Sequence, residues 1–362
     1  LYGETLMTLT EARARCPKRM YHGPCGGVRA GGGCEVDARL PCPYLQLTDT
    51  LPWRRPVVVA DQRTHSAGRL EQALRAGELV TIAEVYTPDS ADLSRLLESY
   101  LPLKPHITAV NIAEHALATP HASTLAAAAL FERAGLEAII NLTCRDRNRI
   151  ALQGEILGAA ALGVNNLFCI TGDHPARGDH PEAQAVFDLD ALELIALVRR
   201  LRDDGTLLSG RPLTERPRLF IGAAANPFSP PVVLQAERVA AKVAQGANFI
   251  QTQAMFDVVG LAQFTAELAA FGVFEAAYLI VGVALVTSLT QALWLKREVP
   301  GARVPDTLLR QLERLSPREQ RRFGLKYADN LMAQLASQPH VSGVLLFPLH
   351  GDLQALYELL LC

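Results

Sequence analysis

The sequence predicts an α/β fold, a (β/α)8 TIM barrel with a small N-terminal cysteine-rich domain, and three observations carry that expectation. Apolar runs rich in β-branched residues begin near residues 79, 108, 137, 166, 219, 249, 278 and 341. Most successive starts lie about 29 or 30 residues apart, the length of one strand, loop, helix and return loop. Four of the seven cysteines, Cys16, Cys25, Cys34 and Cys42, crowd into the first eighth of a 362-residue chain. The expected division is 1–56 for the cysteine-rich domain and its linker, and 57–362 for the barrel, since a barrel takes about 250 residues.

The N-terminal elements come first. Cys16 to Cys42 lie in a glycine-rich stretch with little periodicity and too few apolar residues for a core. In a chain expected in the cytoplasm, four such thiols read as metal ligands, with the metal supplying folding energy that the segment lacks. Their spacing of about eight residues contains no Cys-x-x-Cys knuckle, so zinc and an iron–sulfur cluster both stay open. Pro43 to Pro56 has little pattern and reads as a linker.

The barrel elements follow in order. Helical patterns at Ala122–Ala134, Arg149–Leu162, Leu189–Leu201 and Val232–Val243 separate the apolar runs. The two longer intervals hold extra material, at Asp203–Pro217 and around Ser316–Ser337. Strands alternating with helices imply a parallel sheet covered by helices. No strand leads into a Gly-x-Gly-x-x-Gly turn, which removes the open nucleotide-binding sheet as a rival. Ala276 to Leu295 carries no charge, yet its β-branched start and polar-punctuated second half suit a buried strand and its helix rather than a membrane span.

Composition narrows function. Lys+Arg 35 against Asp+Glu 37 leaves no basic surplus for nucleic acid, and Leu1 to Leu9 lacks the pattern of a secretory leader. Chemistry in such barrels gathers where strands end. Glu84 falls near the end of the first strand, Asn111 on the second, Asn141, Thr143 and Arg145 on the third, and Gly172-Asp173 after the fourth. Asn226 follows the fifth, Gln251 and Gln253 the sixth, and His350 the eighth. So many polar groups on one rim require a ligand or one another as partners. Asp188 or Asp190 would cap the helix after the fourth strand, while buried filling explains Cys144 and Cys169.

Glu84 after its apolar strand, Asn141-Leu-Thr-Cys-Arg-Asp-Arg-Asn148, Thr171-Gly-Asp-His174 and Gln251-Thr-Gln253 together resemble the methylenetetrahydrofolate reductase family. The resemblance implies non-covalent FAD and reduction of methylenetetrahydrofolate to methyltetrahydrofolate, a step of one-carbon metabolism and methionine biosynthesis. It implies Glu84 as general acid, Asp173 beside the flavin and pterin rings, and Gln253 on the folate. Asn111, Asn141, Thr171, Gly172, Asp173, Asn226 and Lys242 would hold FAD, and His350 would stand toward the substrate. NAD(P)H or reduced ferredoxin would supply electrons, the latter through an electron-transfer partner protein, and a homo-oligomer is left open. Cys-Pro-Lys at 16–18, Gly-Pro-Cys-Gly-Gly at 23–27 and Gly-Cys-Glu at 33–35 are similar to the cysteine domain that accompanies some bacterial reductases of this kind. The chain departs from the pattern in four places: Thr87-Pro88 stands for a double proline, Asn141 for a histidine, Gly282-Val-Ala-Leu285 lacks a proline, and His350-Gly351 replaces Asn-Arg. A folate-binding barrel without redox chemistry, such as a methyltransferase or a partner of a corrinoid system, is the alternative function; an electron-relay or docking role of the cysteine domain is the third.

Overall fold

The computed structural model describes residues 7–47, 51 and 56–361; the linker positions 48–50 and 52–55, the residues before Met7, and Cys362 lie outside the described residues. Eight parallel strands close into a barrel in sequence order: β1 (Val80–Tyr86), β2 (Ala109–Ala113), β3 (Ala138–Thr143), β4 (Asn166–Ile170), β5 (Phe220–Ala225), β6 (Phe249–Ala254), β7 (Tyr278–Ala284) and β8 (Val341–Phe347). The ring shuts where Val80 to Ala83 pair with Gly343 to Leu346. Each strand starts within a residue of its expected position, because the β-branched runs that mark strands in sequence are the ones buried on both faces here.

The described helices are α1 (Leu9–Arg15), α2 (Arg69–Arg75), α3 (Ser94–Tyr100), α4 (Thr124–Arg133), α5 (Arg149–Ala161) and α6 (Ala191–Arg199). They continue with α7 (Gln235–Gln245), α8 (Val258–Ala270), α9 (Leu289–Glu298), α10 (Asp306–Glu313), α11 (Pro317–Ala336) and α12 (Leu353–Leu360). Local signals fix several starts. Asn148 accepts from the amides of Ile150 and Ala151, and Asp190 forms a capping box with Glu193. Ser316 and Glu319 do the same for α11, which begins with Pro317. The uncharged stretch from Ala276 resolves into β7 and the start of α9, and no helix among the described residues is long and apolar enough to cross a membrane.

Alternation along the strands sorts the core into two shells. Val80, Ile82, Ala109, Ile139, Phe168, Phe220, Phe249, Ile280 and Leu345 fill the barrel interior, and Leu70, Ala73 and Leu74 of α2 plug its floor. The larger shell lies between strands and outer helices, where Val85, Ile112, Leu142, Leu167 and Val281 meet Phe131, Ile156, Leu197 and Val239.

Residues 7–47 carry a small core of their own and spend it against the barrel. Ala12, Met20, Val28, Cys42 and Tyr44 pack with Leu192 of α6 and Ala241 of α7. The expected linker starts later than Pro43: Pro43–Gln46 forms a 3-10 turn, Tyr44 is buried with its hydroxyl on the Met20 carbonyl, and Leu47 bridges to Met7. Tyr44 and Leu47 supply apolar surface that the segment otherwise lacks, which holds this stretch in place.

Candidate functional site

The inward side chains of β1 to β3 change from apolar to polar one step above Ile82, Ala109 and Ile139. By the period of two, Glu84, Asn111 and Asn141 occupy the next inward positions, and Gln251 stands likewise above Phe249. Glu84 and Asn111 are partners in the β1–β2 register, and the Asn111 amide donates to Glu84 Oε2 at 2.5 Å. Glu84 is 6% exposed. Burial pushes its carboxyl up to about 8, against the opposing pull of the Asn111 hydrogen bond. Tyr100 of α3 donates to the Glu84 backbone carbonyl at 2.9 Å and fixes the end of β1.

Around this acid, buried polar atoms lack partners. Asn111 Oδ1, Asn141 Oδ1, Thr143 Oγ1 and both side-chain polar atoms of Gln251 are unbonded. Orphaned buried groups each cost about 1–3 kcal/mol, so a cluster of them marks a place shaped for a hydrogen-bonding ligand.

A cavity opens on the neighbouring side of the mouth, over β4 to β6. It is lined by Thr171, Gly172 and Asp173 beyond β4, Asn226 beyond β5, Gln253 on β6 and Lys242 on α7, so six of the expected residues share it. Glu84, Asn111 and Asn141 do not line it; they sit on the inner face of β1 to β3. His350 is exposed and stands edge-on to Trp294 at 4.8 Å between ring centres, also outside the cavity. Two further expectations are refined. The Asn226 amide donates to the Pro300 carbonyl at 2.7 Å and reaches Gly26, so it ties the N-terminal segment to the rim. Lys242 donates to the Ala224 carbonyl, and burial, with help from Arg238, holds its ammonium down at about 7.

Local geometry aims these groups. Gly172 takes φ +88, and a Cβ there would meet the Thr143 Cβ at 2.9 Å, so the turn that presents Asp173 needs glycine. In β6 the pairing with β7 slips between Gln251 and Ala254, and Thr252 Oγ1 accepts the Gly282 amide at 2.9 Å. The irregularity leaves Gln253 exposed toward the cavity.

Sequence reasoning missed the second wall. Lys18, His22, Cys25 and Glu35 of the N-terminal segment line the same cavity, facing Arg238 of α7. Arg238 is 7% exposed, its Nε has no partner, and no carboxylate lies within ion-pair distance of it or of Lys242 among the described residues. Two buried basic groups one helical turn apart, on which the Asp190 carboxylate acts only from beyond ion-pair distance, suit an anionic ligand. Their i, i+4 spacing on α7 was the available signal, yet in sequence it is indistinguishable from an ordinary solvated face. Lys18 forms a buried ion pair with Glu35 and donates to the Gly172 carbonyl at 2.7 Å. Burial works against both charges of this pair, and their mutual attraction prevails: Lys18 is held above and Glu35 below the usual value.

The four cysteines converge. Cys16, Cys25, Cys34 and Cys42 line one small cavity with Lys18, Glu35 and Tyr44, and none forms a disulfide. Burial pushes Cys25 up to about 12 and Cys42 to about 11, so a metal would have to displace their protons. No three of these sulfurs lie within 4.8 Å of one another, a looser set than the ~3.8 Å between thiolates on a tetrahedral zinc with Zn–S near 2.3 Å. Among the described residues the group that tight is His22, Asp190 and Glu193, and it is already in use. Asp190 caps α6 and accepts from the amides of Tyr21 and His22 and from the His22 ring at 2.9 Å.

Comparison with known proteins supplies the family. No curated protein sequence matches the chain at a significant level. Among solved structures, an uncharacterized protein from Clostridium thermocellum, described as binding two copies of 5-methyl-5,6,7,8-tetrahydrofolic acid, superposes with a TM-score of 0.56 at 12% identity, covering 80% of this chain and 96% of that one. An oxaloacetate acetylhydrolase, at TM-score 0.44 and 13% identity over 82% of this chain and 85% of its own, is a remoter likeness. A family model described as "Methylene-tetrahydrofolate reductase C terminal" matches residues 6–57, here at the N-terminal side of the barrel. The model described as "Methylenetetrahydrofolate reductase" matches residues 69–356, and the chain therefore belongs to the methylenetetrahydrofolate reductase family.

Proposed function

We propose that this protein is a flavin-dependent reductase that converts methylenetetrahydrofolate to methyltetrahydrofolate, with Glu84 as the general acid. The observation that carries the reading is the state of Glu84 itself, a carboxyl buried inside a barrel mouth with its pKa pushed up to about 8. At pH 7 such a group is roughly ten-to-one protonated. Opening the one-carbon bridge of the substrate at a ring nitrogen requires a proton on the departing amine, and Glu84 can deliver it. The Asn111 amide, already bonded to Glu84 Oε2, then stabilises the carboxylate that remains.

Asp173 offers a carboxylate to the cationic substrate that this protonation generates, and Gln253 offers both a donor and an acceptor to a pterin edge. Membership of the family and the folate bound by the Clostridium thermocellum protein of like fold support a folate as the ligand.

The residues present fit FAD. Asn111, Asn141 and Gln251 carry orphaned polar atoms for ring heteroatoms, and Arg238 and Lys242 are buried basic groups that an anion would hold charged. Thr171 to Asp173 would border the ring, and Arg238 with Lys242 would hold the diphosphate. Bound there, FAD would supply the hydride, replenished by NAD(P)H or by a ferredoxin-type partner. The four thiols would hold zinc or an iron–sulfur cluster.

The test is an absorption spectrum and metal analysis of the full chain purified without oxygen, followed by reoxidation of the reduced protein with methylenetetrahydrofolate. A flavin band that bleaches on reduction and returns with substrate is expected. Glu84→Gln should keep the flavin and slow folate reduction by about 10²- to 10⁴-fold. A colourless protein that still binds 5-methyltetrahydrofolate would overturn the reductase reading in favour of a folate-binding barrel without redox chemistry.

A further inference from the structure

The turn Gly172-Asp173-His174 is held from outside the barrel. Lys18 Nζ donates to the carbonyl of Gly172 at 2.7 Å, and the amide of His174 donates to Glu35 Oε1 at 3.3 Å. The two peptide groups that flank Asp173 are thus gripped, one by the cation and one by the anion of a single ion pair. Both members are 5% exposed, in a segment more than 130 residues away in sequence. The grip is itself braced. Gly27 presses so close that a Cβ there would overlap the Glu35 carboxylate. Among the described residues, Asp173 has no side-chain hydrogen bond of its own that could orient it.

We propose that Lys18 and Glu35 are positioning residues for Asp173, so that the N-terminal segment is a working wall of the barrel's site as well as a candidate metal carrier. The polarity of the pair matters as much as its charge. Lys18 meets an acceptor and Glu35 meets a donor, so an exchanged pair would keep its mutual attraction and lose both contacts with the turn. This inference rests on the reductase reading for what Asp173 does, and on geometry alone for what holds it.

The decisive variant is therefore the exchange Lys18→Glu with Glu35→Lys. It should still fold, read by circular dichroism, and melt below the parent, because the ion pair survives while its contacts with Gly172 and His174 do not. Its kcat for methylenetetrahydrofolate reduction should fall roughly ten- to a hundredfold, the scale of a misplaced active-site group. The amides of residues 172–174 should exchange hydrogen faster. Wild-type kcat and unchanged exchange in a folded exchange variant would overturn the proposal. Should that variant not fold, Lys18→Met is combined with Asp173→Asn. A double variant no slower than Asp173→Asn alone supports positioning, and losses that multiply refute it. Hydrogen exchange in the parent and in Lys18→Met separates this idea from the reductase reading. A protein without flavin ends that reading, whereas an exchange difference confined to the turn upholds the grip.

Discussion

The two halves of the barrel mouth solve different problems. Over β1 to β3 the inward groups are neutral or neutralised: Glu84 is held as an acid by burial, and Asn111, Asn141 and Thr143 carry atoms without partners. Over β4 to β6 the groups are charged, and two of them arrive from the N-terminal segment, with Lys18 and Glu35 facing Asp173, Arg238 and Lys242. Dryness without charge raises a carboxyl pKa and makes a proton donor. Charge with partial burial binds anions and steadies cations. One rim built uniformly in either style could not do both.

The contrast can be broken most severely at Glu84. Its folded pKa lies above that of an unfolded glutamate, so its ionisation opposes folding progressively as pH rises from about 4.5 to about 8. Glu84→Gln should accordingly gain stability over the parent by an amount near zero at pH 4 and of the order of a few kcal/mol at pH 8.5, read from denaturant midpoints at the two pH values. An equal gain at both would mean that the neutral half is not neutral. In the same spirit, removing the Asn111 donor with Asn111→Leu should move the alkaline limb of the rate profile upward, since that bond favours the ionised acid.

The charged half is tested next. Arg238→Met with Lys242→Met removes two buried cations and should weaken FAD retention about 10- to 100-fold, measured by flavin fluorescence on titration. The same change should leave affinity for a flavin lacking the diphosphate nearly unchanged. A smaller effect is expected at His22, whose ring pairs with Asp190 across the seam between segment and barrel. Burial opposes the imidazolium and the Asp190 carboxylate outweighs it, so the His22 pKa is raised. The pair then stabilises below about pH 6.5 and fades as pH climbs through the raised value. His22→Ala should cost on the order of 1 kcal/mol at pH 6 and less at pH 8.5, by thermal melting.

What can be read in advance does not divide along the same line, since strand ends mark Glu84, Asn111 and Asn141 in one half and Asp173, Asn226 and Gln253 in the other. The strands were legible because burial on both faces demands β-branched runs, and the neutral half followed from the rule that polar residues at strand ends form the site. Glu84, Asn111 and Asn141 each came from a single strand and needed no knowledge of distant neighbours. The wall that the N-terminal segment adds to the charged half depends on partners far apart in the chain: Lys18 with Gly172, Asn226 with Gly26, Glu35 with His174. Lys18 stands in the Cys-Pro-Lys run at 16–18, and nothing in one sequence says that it crosses to a strand end. The turn at Pro43–Gln46 reads as linker in sequence for a similar reason, because its stability comes from Tyr44 packing into a core assembled from separated residues.

Closure of the strand ring carries a consequence for synthesis. The first strand of the barrel has the last as one of its two neighbours, Val80 beside Gly343 and Ala83 beside Leu346. A ribosome releases them some 260 residues apart, and until the later one arrives the earlier one is open to water along an edge. The enclosure that makes position 84 a weak acid is therefore complete only once the last strand has docked beside residues 80–83, one residue short of it.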